Sequence, residues 1–190
     1  MCASPCAAAV ANITATFDDV KDISLRPLPK SDASPSFAAS TLWREKPCVI
    51  VAVKLYAKKS EFDALGCTLA CVLKEGLPAE VEEFKRDFWP EHLYLDENKG
   101  FFRAVWDGEL KKGSIATFLN PFSRAWKNVK SAQKAGVENH NTTGEGLIKG
   151  GLFVMKPGSK GVQYQYQERQ FGDHAPVDDV LNAARAAANS

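Results

Sequence analysis

The sequence predicts an α/β fold: a central mixed sheet with flanking helices, preceded by an extended N-terminal arm over residues 1–40. Three observations point there. Two continuous apolar runs rich in β-branched residues, Pro47–Lys54 and Cys67–Leu73, stand one short helical stretch apart. Such runs suit strands covered on both faces, and strands joined by a helical crossover are parallel. Late in the chain, two further apolar segments flank a loop dense in turn residues, which is the pattern of an antiparallel hairpin.

Residues 1–40 hold four of the ten prolines, with much Ser and Ala, and the stretch Arg26–Pro35 is a poor core former. This part is expected to be irregular in isolation and ordered only against a partner or the body of the domain. Ordering costs about 1–2 kcal/mol per residue in backbone entropy. Val20, Ile23, Leu25, Leu28 and Phe37 are the anchors available to offset it. Residues 41–190 make up the folded domain.

Between the first two strands, Leu55 to Leu65 carries apolar residues at 55, 57, 62 and 65 and reads as a helix stopped by Gly66. A second helix follows over Pro78–Phe88, with Pro near its start and acids in its first turns. His92–Leu95 is a short strand ending at Asp96, and a helix with Phe101, Phe102, Val105 and Trp106 comes next. Gly151–Met155 and Val162–Glu168 form the hairpin around the loop Lys156–Gly161. The second hairpin strand alternates: Val162, Tyr164 and Tyr166 face one way, Gln163, Gln165 and Gln167 the other. That fits an edge strand with one wet face. Val177–Ala188 closes the chain as a helix with Val177, Val180, Leu181 and Ala184 on one stripe. This order of elements is the plan of a thioredoxin-like fold.

The formal charge is +1 from 24 basic and 23 acidic residues, which leaves no electrostatic footprint for nucleic acid or an acidic membrane. No apolar run approaches the roughly 20 residues of a transmembrane helix. Five cysteines cannot all pair within the chain and make no regular framework. A reducing intracellular compartment is expected, either the cytoplasm or an organelle such as the chloroplast stroma or mitochondrion. The first 17 residues lack the basic and apolar regions of a secretory signal; an organelle transit remnant stays open, although such segments normally carry Arg and none precedes Arg26.

Several segments in order resemble the peroxiredoxin-like 2 family of the AhpC/TSA group: Gly144–Val154, Gln167–Asp173, Tyr94–Phe102, Phe122–Trp126 and the Leu42-Trp43 pair. The resemblance covers roughly residues 40–188 and implies a thioredoxin-like antioxidant protein. In that family the first strand runs through an Ala-Val-Arg-like step into a Gly-Cys-x-x-Cys turn, and the nucleophilic Cys caps the next helix. A helix N-terminus lowers the thiol pKa, and a second Cys resolves the mixed disulfide. Here Ala52-Val53-Lys54 runs directly into Leu55-Tyr-Ala-Lys-Lys-Ser60, and the Cys-x-x-Cys segment is missing. The spacing argues independently for a real shortening. Only 11 residues separate Lys54 from Gly66, close to the minimum for a parallel crossover. As a helix they span about 16 Å, against about 23 Å for the returning strand.

No other cysteine pair replaces the missing one. Cys67 and Cys71 lie on one strand, facing the same side with Cα atoms about 13 Å apart, beyond the roughly 7 Å limit of a disulfide. They and Cys48 are expected to be buried packing thiols. Cys2 and Cys6 form a Cys-x-x-x-Cys pair on the tail, read as unremarkable because reactivity needs a fixed electropositive setting, with a redox-active or metal-binding dithiol as the alternative. His92, His140 and His174 are too scattered for a metal site. Gly144-x-Gly146 fits a tight turn better than a nucleotide fingerprint. No catalytic, cofactor-binding or metal-binding residue is therefore expected.

The helix Phe122–Ala135 sets Arg124, Lys127, Lys130 and Lys134 beside Phe122, Trp126 and Val129. It is either a solvated basic face or a docking face for an acidic or apolar partner. Two functions of different class follow. One is a non-catalytic scaffold, adaptor or accessory subunit of a larger assembly, meeting protein partners through the arm and the Phe122–Ala135 helix. The other is a peroxiredoxin-like antioxidant or thiol-disulfide oxidoreductase using Cys2/Cys6 or an unexpectedly exposed Cys. The missing segment favours the first, because function lives in the site rather than in the fold.

Overall fold

The architecture comes from a computed structural model that describes residues 13–29, 35–51, 54–113, 147–170 and 173–190. Alternating burial organises it. In β3 (Cys48–Val51), β4 (Thr68–Leu73) and β6 (Gly151–Met155), successive side chains drop into two different cores. Val49, Leu69, Cys71, Leu152 and Val154 join one cluster; Cys48, Ile50, Ala70, Val72, Phe153 and Met155 join the other. A period of two with apolar residues in both phases is what a strand covered on both faces requires.

The sheet has seven strands in the order β2-β1-β5-β4-β3-β6-β7, counting β1 (Ser24–Pro27), β2 (Phe37–Ala38), β5 (Leu93–Leu95) and β7 (Val162–Gln167). β3, β4 and β5 are parallel, with Cys48 opposite Thr68 and Cys71 opposite Leu93. β6 runs antiparallel to both β3 and β7, and β1 antiparallel to both β5 and β2. The sheet is thus mixed, with β4 at its centre. Both strands of the expected parallel pair and both strands of the expected hairpin are present.

The first cluster is covered by α2 (Lys59–Ala64), α3 (Pro78–Asp87) and a C-terminal helix, here α5 (Val177–Ala188), through Phe62, Val81, Val180, Leu181, Ala184 and Ala187. The stop at Gly66 holds, with φ +66°. The crossover differs from expectation in one respect. Lys54–Lys58 form a 3-10 turn, and only Lys59–Ala64 are α-helical. A 3-10 turn advances about 2.0 Å per residue against about 1.5 Å for an α-helix. So short a connection gains reach that way.

The second cluster is covered by α1 (Phe17–Val20), the 3-10 turn Ala39–Trp43 and α4 (Gly100–Ala104), which contribute Val20, Ala39, Trp43, Phe101 and Ala104. The described part of the N-terminal arm is ordered against the body of the domain, one of the two settings expected for it. Residues 24–27 and 37–38 are strands of the sheet, and the boundary near Thr41 does not mark where the fold begins. The anchors named above explain why. Val20 and Leu25 are fully buried, Leu28 nearly so, and Ile23 and Phe37 pack against the second cluster.

Asp96 is fully buried at the end of β5, and its carboxylate accepts backbone N–H bonds from Gly100 at 2.9 Å and Phe101 at 2.8 Å. Burial raises its pKa, while those amides oppose the rise. The wet face expected for β7 is also corrected. Gln165 is buried; its carboxamide oxygen accepts from the Thr14 and Ala15 amides at 3.0 and 2.9 Å. Its nitrogen donates to Thr14 Oγ1 and to the Val105 carbonyl. The N-terminal segment seals the edge that the alternation alone left open.

Candidate functional site

β3 delivers the chain to the crossover at the C-terminal edge of the parallel strands, where open α/β sheets place their chemistry. Ala52 and Val53 lie outside the described residues. From Lys54 the 3-10 turn begins, and no cysteine occurs between Cys48 and Cys67. Leu55 turns into the core, and the Tyr56 ring leans on the buried Trp89 at 5.2 Å between centroids. α2 starts at Lys59 with no side-chain cap.

The polar groups here are committed to ion pairs. Lys58 meets Glu61 at 2.5 Å, and Lys59 meets Asp63 at 2.6 Å and Glu91 at 3.4 Å. Their hydrogen bonds to Glu61 and Asp63 raise the pKa of both lysines. A nucleophilic amine must be neutral, so this shift runs against catalysis. The turn offers an aromatic ring and two charged ammonium groups, with no thiol to activate.

The described thiols sit elsewhere. Cys48, Cys67 and Cys71 are all buried. Burial pushes the Cys67 thiol up to about 12, against an opposing backbone hydrogen bond at Val49, and lifts Cys48 far above the ordinary thiol range. Cys67 and Cys71 face the first cluster, as their spacing predicts, and Cys48 faces the second. Reactive cysteines need the reverse, an exposed thiolate in a positive field. Cys2, Cys6, His140, the Gly144-x-Gly146 turn and the Phe122–Ala135 helix fall outside the described residues. Among the described residues no three His, Cys, Asp or Glu side chains converge on a metal position, and no helix is long and apolar enough to cross a membrane.

One feature escaped the sequence reading. α3 leaves Leu77 and Phe88 exposed beside the half-buried Phe84, over an open groove at the end of β4. The signal was present as Leu77, Phe84 and Phe88 at spacings of seven and four.

The family model of the AhpC/TSA antioxidant enzymes matches residues 54–170. Peroxiredoxin-like 2A of Xenopus tropicalis is 34% identical over 184 residues, covering 90% of this chain and 77% of the relative. This chain belongs to the peroxiredoxin-like 2 family of the AhpC/TSA group. The Bos taurus member is also 34% identical, with 90% of this chain and 80% of the relative covered, and the Homo sapiens member 32%, with 90% and 76%. Among solved structures, a mitochondrial 2-Cys peroxiredoxin from Plasmodium falciparum aligns at a TM-score of 0.45 and 12% identity, covering 88% of this chain and 92% of that one. A Sco-family cytochrome c oxidase assembly protein aligns at 0.46 and 10%, covering 95% and 98%. The family match and the mixed seven-stranded sheet make the fold thioredoxin-like α/β.

Proposed function

We propose that this protein is a non-catalytic thioredoxin-fold member of its family, acting as a scaffold, adaptor or accessory subunit of a larger protein assembly. One observation carries the reading: the turn that follows β3 and opens α2 contains no thiol, and every described cysteine is buried. The helix Phe122–Ala135, outside the described residues, stays the partner-facing segment in this reading. The part of the arm over residues 13–29 and 35–40 does not, because Val20, Leu25 and Leu28 are already buried inside the fold and only Ile13 among its large apolar side chains is exposed.

The family itself favours a second reading, a peroxiredoxin-like antioxidant or thiol oxidoreductase that works through Cys2 and Cys6. A tail thiol of ordinary pKa near 8.5 is only a few per cent thiolate at pH 7. Peroxide consumption with a thioredoxin or glutathione recycling system separates the two. The scaffold reading expects background rates from wild type and from a Cys2→Ser/Cys6→Ser double variant. Turnover lost in the double variant would move the active site to the tail. Turnover kept in both would assign it to a buried cysteine.

A further inference from the structure

We propose that the groove beside α3 is a docking site for a basic amphipathic segment of a partner protein. The groove has a volume of about 200 Å³ and an apolar floor of Leu73, Leu77, Val81 and Phe84, with Lys74, Glu75 and Glu80 on its margin. Leu77 is 52% exposed and Phe88 44%, and Phe88 extends the apolar line through its ring contact with Phe84 at 5.9 Å. From Leu77 to Phe88 this line runs about 16 Å along the helix. That is the length over which a helical ligand presents apolar residues at intervals of three and four.

Charge selects the kind of ligand. The two lysines closest to the groove are turned inward onto backbone carbonyls: Lys74 donates to Ile148 at 3.0 Å and Lys85 to Leu28 at 3.4 Å. Glu80, Glu82 and Glu83 are exposed and make no salt bridge among the described residues. Glu80 and Glu83 are neighbours on one flank of α3, beside the Leu77–Phe84 line. An apolar floor with an acidic rim is complementary to apolar side chains flanked by Lys or Arg. A second copy of this chain would oppose like charges across the same seam. The proposal names a partner chemistry for the adaptor reading but rests on α3 alone, so activity at the tail thiols would leave it standing.

The test is fluorescence anisotropy on the full chain with two labelled synthetic helices of one Leu pattern, one carrying Lys and the other Glu at the remaining positions. Wild type is expected to bind the Leu/Lys helix at least about tenfold tighter than the Leu/Glu helix, less so as salt rises. Leu77→Ser and Glu80→Lys are each expected to lose about tenfold. Leu77 is the N-cap of α3 and makes no capping hydrogen bond, whereas Ser caps well, so Leu77→Ser keeps or raises the melting temperature. Equal affinity for the two helices, no binding, or variants that bind like wild type would overturn the proposal. So would a dimer in sedimentation that Leu77→Ser dissolves, because the groove would then belong to a second copy.

Discussion

On one face of the sheet, α2, α3 and α5 lay regular helical stripes over Val49, Leu69, Cys71 and Val154. On the other, short helices, turns and connecting chain from residues 15–29, 35–43 and 101–105 cover Cys48, Ile50, Val72 and Phe153. The helical face is closed by side-chain periodicity. The irregular face is closed by individual polar contacts and by glycines that admit close approach. Substitutions on the irregular face should therefore act through single named contacts, and those on the helical face through burial alone.

Gly151→Ala is the strongest way to break the irregular face. A Cβ there would overlap the Tyr166 carbonyl oxygen and a methyl of Val105, and backbone cannot retreat as a side chain can. A loss of about 3 kcal/mol is expected in urea unfolding. A variant as stable as wild type would show that α4 floats over β6.

Asp96→Ala comes next. It strips the Gly100 and Phe101 amides of their buried acceptor. Hydrogen bonds to charged groups are worth about 1.5–3 kcal/mol, so a loss of about 2–3 kcal/mol is expected. The loss should be centred on α4, visible as faster hydrogen exchange at residues 100–104 than elsewhere.

Gln165→Ala tests the N-terminal seal. Thr14 and Ala15 lose their acceptor, while the Val105 carbonyl keeps its bond from Gln167 at 2.8 Å. About 1–2 kcal/mol is expected, with early proteolysis in residues 13–20 and an intact β6–β7 hairpin. Cleavage spreading equally through the hairpin would mean that the segment is part of one cooperative unit with it.

The smallest effect belongs to the helical face. The Cys67 thiol titrates near 12 in the folded chain and near 8.5 when unfolded. Its stabilising contribution is whole below about pH 8.5 and is lost as pH rises toward the folded value. Between pH 7.5 and 9.5 the wild type should lose about 1 kcal/mol that Cys67→Ala does not, measured by urea melts at both pH values. Parallel losses would mean that Cys67 is not the group responsible.

The helical face was legible because its signals are local. β-branched runs, the Gly66 stop, Pro78 and the α5 stripe each fall within one element. Strand parity puts Cys67 and Cys71 on one side, and the tendency of free Cys to be buried supplies the rest. The irregular face was not legible as structure, because β1 contains Pro27 and β2 is two residues long. Neither has a period to read: β1 is held by pairing with the distant β5, and β2 by pairing with β1. The anchors Val20 and Leu25 could be named, but not the sheet they serve. Gln165 gives no local sign of its burial for the same reason: the Thr14 and Ala15 amides it accepts from lie 151 and 150 positions away. At the candidate site, the lack of a thiol after β3 was plain in the sequence, whereas the exposure of Leu77 and Phe88 needed three dimensions.

The β3–β6 ladder has a consequence for the order in which the chain assembles. It pairs Cys48 with Met155, closing a loop of more than a hundred residues, whereas Cys48 and Thr68 are brought together by a single short crossover. Closing the longer loop costs more entropy before any contact rewards it. The parallel trio β3–β4–β5 should therefore form first and wait with one side of β3 unpaired. Until the hairpin β6–β7 arrives, that side is an open template of backbone donors and acceptors. The interval between the two events is when a newly made chain is most exposed to pairing with a neighbour instead of with itself.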